Sequence, residues 1–265
     1  MDLELKGKSV IVTGGGSNIG RAIVLGFAAE GANITIGEIH AEQGGLVAEA
    51  AKAAGAADVH LAPCDITDHA QVQTMVQSAV ERNGAVDVLV NNVGWDKLMF
   101  FSQTTPDFWQ KIIQVNYVGN LNCTHAVLGP MIEAGHGAIV SISSDASRQG
   151  ESREAVYGGT KAAVNSFMKT VAKENGRYGI RCNAVCPGVT VPETDEEVGS
   201  SSMWANKADM FTEEQFAKIA NALPLKKLGR PRDIANAVLF LSSDAVAGHV
   251  TGQILSVSGG YSMIG

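Results

Sequence analysis

The chain has 265 residues, a formal net charge of −7 and 45% hydrophobic residues. That length suits one α/β domain, and an acidic chain with no basic run is a poor partner for nucleic acid or an anionic membrane. No apolar run approaches the ~18 residues of a membrane span, and the MDLELKGKSV start lacks an export pattern, so a cytoplasmic protein is expected. The four cysteines form no C-x-x-C pair and read as reduced thiols. The six histidines show no metal-ligand spacing, so no metal is expected.

Residues 8–13, KSVIVT, read as a buried strand running into glycines. GGGSNIG follows at 14–20, and 21–30 reads as a helix. Strand, glycine turn and helix together make a phosphate site, because the backbone can approach closely and a helix N-terminus offers free N–H groups. Residues 33–37 form a second strand that Glu38 ends, 18 residues past Gly20. This type of fold places there the acid that accepts from the adenosine ribose hydroxyls. A carboxylate at that point repels a 2′-phosphate, which favours NAD over NADP.

A helix at 41–54, a strand at 58–63 and a helix from about Thr67–Asp68 come next, then a strand at 87–90. A long helical region covers 106–133, a strand covers 137–143, and a helix bearing Tyr157 runs to about 178. A strand at 180–185, a helix at 231–242 opened by proline, and a strand at 253–257 complete the order. The alternation predicts a single-domain α/β fold, a doubly wound parallel sheet of Rossmann type with helices on both faces. Ligands then sit at the carboxyl ends of the strands, at a switch point near the first strand. The stretch at about 190–225, acidic at first and then richer in apolar residues, reads as a substrate lid within that domain.

The chemistry concentrates in 144–161, SDASRQGESREAVYGGTK. Tyr157 and Lys161 stand at i, i+4, on one face of a helix. A phenol is a poor acid near neutrality, and a lysine cation close by favours the phenolate. Such a tyrosine can pass a proton to or from a substrate oxygen, while Ser144 bonds the same oxygen. No histidine base accompanies Ser144 in any matching motif, so a serine hydrolase is not expected.

Ser144, Tyr157 and Lys161 resemble the catalytic residues of the short-chain dehydrogenase/reductase family, whose helix usually reads Y-x-A-S-K and here reads YGGTK. Thr13, Gly14 and Gly20 match the family's T-G-x-x-x-G-x-G, with Asn18 where the middle glycine is usual; asparagine tolerates left-handed backbone. NNVG at 91–94 is similar to its N-N-A-G, and Asn116 in VNYVGN to its helix asparagine, which completes a proton relay from the lysine. The resemblance implies a nicotinamide cofactor touched by Gly14, Ser17, Asn18, Ile19 and Gly20. It adds Asp65 on the adenine with Ile66 beside it, then Asn92 and Gly94. Tyr157 and Lys161 reach the nicotinamide ribose, and Pro187 and Gly188 pass the nicotinamide. Pro192 stands where the family has threonine, which leaves Thr190 to supply a hydroxyl.

Gly94-Trp95-Asp96, Ser144-Asp145-Ala146, the GESREAVY run and the LSVSGG end are similar to 2-hydroxycyclohexanecarboxyl-CoA dehydrogenase-like members. Trp95 and Asp96 are then expected at the substrate pocket with Ser144 and Tyr157. Trp95, Met99, Phe100, Met203 and Trp204 would form an apolar wall, and Arg148, Arg153, Lys97, Lys207 and Lys218 are the cations for a phosphate. The implied activity is hydride transfer between NAD(H) and a cyclic secondary alcohol or alicyclic β-hydroxyacyl-CoA, by a homotetramer. An NADPH-dependent 3-oxoacyl-type ketone reductase and a non-catalytic NAD-binding regulator are the alternatives.

Overall fold

In the computed structural model, residues 2–194, 197–199, 202, 204–205 and 211–263 are described. The strands are β1 (Ser9–Thr13), β2 (Asn33–Glu38), β3 (Asp58–Pro63), β4 (Val88–Asn91), β5 (Gly137–Ile142), β6 (Ile180–Pro187) and β7 (Ile254–Val257). They form a seven-stranded parallel sheet in the order β3-β2-β1-β4-β5-β6-β7. The order reverses between β1 and β4, so the carboxyl ends of these two strands flank the crevice where such sheets bind ligands.

The inner strands β1, β4, β5 and β6 are buried along their whole length, because helices cover both faces. Helices α1 (Asn18–Ala29), α2 (Ala41–Ala54), α3 (His69–Asn83), α4 (Pro106–Ile113) and α5 (Gly119–Ala134) precede the short α6 (Ala146–Gln149) and the long α7 (Ala155–Asn175). After these come α8 (Glu213–Ala222), α9 (Pro231–Ser242) and α10 (Asp244–Ala247). On one face Phe27, Ile34, Ile36 and Ile234 build a core between the sheet and α1, α2 and α9. On the other, Ile11, Met75, Leu89, Met131 and Met168 pack the sheet against α3, α5 and α7.

The helical region after β4 stays helical from Pro106 to Ala134 but changes pitch within it. A π-turn at Gln114–Val118 joins α4 to α5. Asn116 sits in that turn, and its amide donates to the Ile112 carbonyl at 3.0 Å and to the Trp95 carbonyl at 2.7 Å. Side-chain bonds of this kind compete with the helical ladder and widen it locally. The helix bearing Tyr157 ends at Asn175, and a 3₁₀ turn over Gly176–Tyr178 completes the stretch.

Buried polar groups pin the carboxyl edge of the sheet. The Asn91 amide donates to Thr124 Oγ1 at 3.1 Å and Ser141 Oγ at 3.3 Å, and Asn120 also donates to Ser141 Oγ at 3.0 Å. This network ties β4, β5 and α5 together, although Asn91 Oδ1 has no hydrogen-bond partner among the described residues.

Candidate active site

The glycine turn after β1 is shaped by close approach. Gly14 has φ +63°, and a Cβ there would lie 2.9 Å from Val93 Cγ2; a Cβ at Gly20 would collide with the Gly14 carbonyl. Only glycine fits either place. Asn18, where a glycine was usual, takes φ 47°, the left-handed conformation asparagine tolerates. Ser17 is the N-cap of α1, yet its hydroxyl makes no capping bond and no acid occupies the first turn. The helix N-terminus therefore offers N–H groups and a hydroxyl to an anion.

Glu38, at the end of β2, is buried and holds the turn as well as facing the cleft. Its Oε2 accepts from Gly16 N at 3.0 Å and its Oε1 from His40 N at 3.1 Å. Asp65 forms a turn in which Oδ1 accepts from Thr67 N and Thr67 Oγ1. Ile66 is buried, its side chain filling the space a Cβ at Gly119 would need. Asn92 spends its amide on the Thr13 and Gly14 carbonyls, at 3.1 and 2.9 Å. It stitches the ends of β1 and β4 and so shapes the turn. Thr190 is buried, and its hydroxyl donates to the Gly188 carbonyl at 3.2 Å.

These residues fit a dinucleotide. The cradle at Gly14 and Gly20 admits no side chain, and the buried Asn18 Oδ1 has no hydrogen-bond partner among the described residues. Each Glu38 oxygen keeps a lone pair for a ribose hydroxyl, since each accepts one backbone N–H.

Ser144, Tyr157 and Lys161 converge at the other end of the same cleft, with Asn116 buried beside Lys161 near Gly94. Its volume is about 1230 Å³, and Gly14, Glu38, Ser144, Tyr157, Lys161 and Trp204 all line it. Lys161 is buried, donates from Nζ to the Ile142 carbonyl at 2.9 Å, and stands 5.5 Å from the Tyr157 ring centroid. Gly94 lets it approach: a Cβ there would be 3.2 Å from Asn116 Oδ1 and 3.3 Å from Lys161 Nζ. Burial lowers Lys161 to about 8. The expected lysine-depressed phenol is not what results. Burial pushes Tyr157 above the usual tyrosine range, the negative Glu154 and Asp96 add to that, and the hydrogen bond with Ser144 opposes it.

The substrate side holds two carboxyls. Asp96 and Glu154 line a small chamber next to Tyr157 with Met99, Phe101 and Phe108. Desolvation raises Asp96 to about 6, and desolvation followed by the charge of Asp96 raises Glu154 to about 7. Glu154 is the N-cap of α7, one turn before Tyr157. Sequence reasoning missed it, although an acid three residues ahead of the tyrosine was visible. Asp145, beside Ser144, is also buried; desolvation raises its carboxyl, against hydroxyls of Ser256 and Ser258 and the nearby Arg148 charge.

The apolar wall differs from the expected one. Trp95 is half-buried, with Lys111 Nζ 3.7 Å above its ring and Phe108 edge-on at 6.0 Å. Trp204 stacks on Phe216 at 6.3 Å, and Phe211 and Ile219 join it along the cleft. Phe100 is 56% exposed and does not line the cleft; its neighbour Phe101, stacked on Trp109, faces the chamber instead. Met203 and Lys207 lie outside the described residues. Lys218 pairs with Glu214 on the exposed face of α8, and Arg148 donates to the Ile254 carbonyl at 3.0 Å, so neither faces the cleft. Among the described residues, the cations lining that part of the cleft are Lys97, Lys111 and Arg153, together with Lys161 beside Tyr157.

A family model described as "Enoyl-(Acyl carrier protein) reductase" matches residues 14–262. The chain is 34% identical to the 3-oxoacyl-[acyl-carrier-protein] reductase FabG of Thermotoga maritima, over 97% of this chain and 99% of that one. It is 35% identical to the (2S)-[(R)-hydroxy(phenyl)methyl]succinyl-CoA dehydrogenase subunit BbsD of Thauera aromatica, over 98% and 99%. Among solved structures, a 7α-hydroxysteroid dehydrogenase complexed with NADH and 7-oxo glycochenodeoxycholic acid superposes with a TM-score of 0.87 at 32% identity, covering 98% of this chain and 96% of that one.

Proposed function

The chain belongs to the short-chain dehydrogenase/reductase family and is an oxidoreductase of hydroxyl and keto groups; from that premise we propose that it transfers a hydride between NAD(H) and a cyclic secondary alcohol, as an alicyclic β-hydroxyacyl-CoA thioester in the reading we favour. Bound NAD supplies the hydride acceptor. Gly14, Ser17, Asn18, Ile19 and Gly20 hold its pyrophosphate, Glu38 its adenosine ribose, and Asp65 and Ile66 the adenine side. Asn92 and Gly94 keep the glycine turn and Lys161 in place. Pro187, Gly188 and Thr190 form the wall beside the nicotinamide.

Tyr157 as phenolate takes the carbinol proton, and Ser144 donates a hydrogen bond to the substrate oxygen. Lys161 places its positive charge beside the reacting pair. Asn116, held by the Trp95 backbone, keeps the proton route from Lys161 open. The observation that carries the reading is the convergence of Ser144, Tyr157 and Lys161 at one end of the cleft that Gly14 and Glu38 line at the other.

NAD rather than NADP follows from Glu38, whose carboxylate repels a 2′-phosphate. The thioester draws support from charge placement. Asp96 and Glu154 beside Tyr157 disfavour a free carboxylate next to the carbinol, whereas Lys97, Lys111 and Arg153 at the substrate end suit a phosphate tail. The 35% identity to a relative named for a succinyl-CoA substrate points the same way. The named FabG relative keeps a 3-oxoacyl ketone reductase as the second reading.

The segment at about 190–225 acts as the lid of this single catalytic domain, with Trp204 over the substrate. Exposed Leu225, Leu255 and Met263 are apolar surface suited to a homotetramer. Four free, buried cysteines fit the reducing cytoplasm. Tyr157→Phe tests the chemistry: NADH formation falls by a hundredfold or more, about the weight of one general base, while NADH affinity holds within about threefold. An equally active Tyr157→Phe variant would overturn the assignment.

A further inference from the structure

We propose that Asp145 is a positioning residue that latches the turn carrying Ser144 to the last strand of the sheet. The inference rests on the roles read above for Ser144 and for Pro187–Gly188. Asp145 is 1% exposed. Both of its carboxylate oxygens lie 2.6 Å from the Ser256 hydroxyl. Ser256 is on β7, in register with Cys186 of β6. The backbone N–H of Asp145 donates to the Pro187 carbonyl at 3.1 Å. One residue next to Ser144 therefore holds β7 with its side chain and β6 with its main chain.

The contacts around it interlock. Ser258 Oγ lies 3.3 Å from Ser256 Oγ, and Ser258 packs on Gly188 so closely that a Cβ there would stand 2.8 Å from Ser258 Cβ. Arg148, three residues after Asp145, donates to the Ile254 carbonyl at 3.0 Å. β7 is a four-residue strand at the end of the sheet and only half-buried, so it has little burial of its own to fix it. A buried carboxylate is costly unless its lone pairs are used. Here they are used to tie that strand to the Ser144 turn and to the turn beside the nicotinamide site.

The test is a double-mutant cycle of Asp145→Ala and Ser256→Ala, read as NADH affinity by fluorescence and as kcat and KM for the alcohol. Each single variant lowers kcat and weakens NADH binding by about tenfold, with the alcohol KM within about threefold, and the double variant is no worse than the poorer single, because both delete one interaction. Asp145→Asn, which keeps an acceptor for the Ser256 hydroxyl, recovers to within about threefold of the parent. Ser256→Ala, which removes a single hydroxyl, carries the test by itself should Asp145→Ala fold poorly. Parent-like kcat and NADH affinity in Ser256→Ala, or losses that multiply in the double variant, would overturn the latch. A parent chain that binds neither NADH nor NADPH would overturn the coenzyme reading beneath it, a result distinct from parent-like binding in the variants.

Discussion

In the proposed mechanism, burial first and then Glu154 and Asp96 govern the ionisation of Tyr157. Burial and these two acids hold the phenol above its ordinary range, and alcohol oxidation needs the phenolate, so the oxidative rate rises with pH. Glu154→Gln removes one of the two charges. The rising limb of the kcat/KM profile for the alcohol then moves to lower pH by about half a unit to one unit, as expected for a charge several ångströms away in a protein dielectric; an unmoved limb would refute the coupling. The same variant gains stability. Glu154 rises from 4.5 to about 7 on folding, so the folded state binds that proton more tightly, and stability is lost as pH climbs through this window. Glu154→Gln therefore melts higher than the parent at pH 8, by on the order of 2 kcal/mol, and the gain vanishes near pH 4. That Tyr157, Lys161 and Ser144 meet in one cleft was legible, because the i, i+4 pair and the serine just after the fifth strand are readable in the sequence. Glu154 was not, because its perturbation depends on Met99, Phe101 and Phe108, which the chain brings in from more than 40 positions away.

In the proposed reading, the glycine turn suits a pyrophosphate because two elements touch there without side chains between them. Gly20→Ala would force a Cβ into the Gly14 carbonyl. We expect NADH affinity to fall more than about tenfold and stability to drop by about 1–3 kcal/mol, the usual cost of overpacking; calorimetry and fluorescence titration on one sample measure both. Strand, turn and helix were readable here from short apolar runs and glycine placement. The π-turn was not, since Asn116 leaves the helical ladder only to meet Trp95, 21 positions earlier. Nor was the stitching by Asn92, whose partners Thr13 and Gly14 lie at the end of β1 and in the turn after it. Phe100 and Phe101 show the same limit: the choice of which neighbour faces the chamber belongs to the 3₁₀ turn at Phe101–Gln103, and composition carries no sign of it.

At the scale of the molecule, one cleft runs along the carboxyl edge of the sheet from Glu38 to Trp204. Its charges are distributed: Glu38 and Asp65 at one end, Asp96 and Glu154 beside Tyr157, Asp145 beside Ser144, and Lys97, Lys111 and Arg153 with Glu151 among them towards the other end. The parallel sheet and its switch point were legible from the alternation of elements. The charge distribution was not, because it depends on which loops meet above the sheet. In the proposed reading, Asp96 and Glu154 favour a substrate neutral at the carbinol, and Lys97, Lys111 and Arg153 favour an anionic tail. The decisive measurement is NADH formation from a cyclic β-hydroxyacyl-CoA and from its free hydroxy acid, with NAD and with NADP. The account predicts turnover of the thioester with NAD, at a kcat/KM at least about tenfold above the free acid and above NADP, a discrimination of about 1.4 kcal/mol. Equal turnover of the free acid, or a preference for NADP, would contradict it.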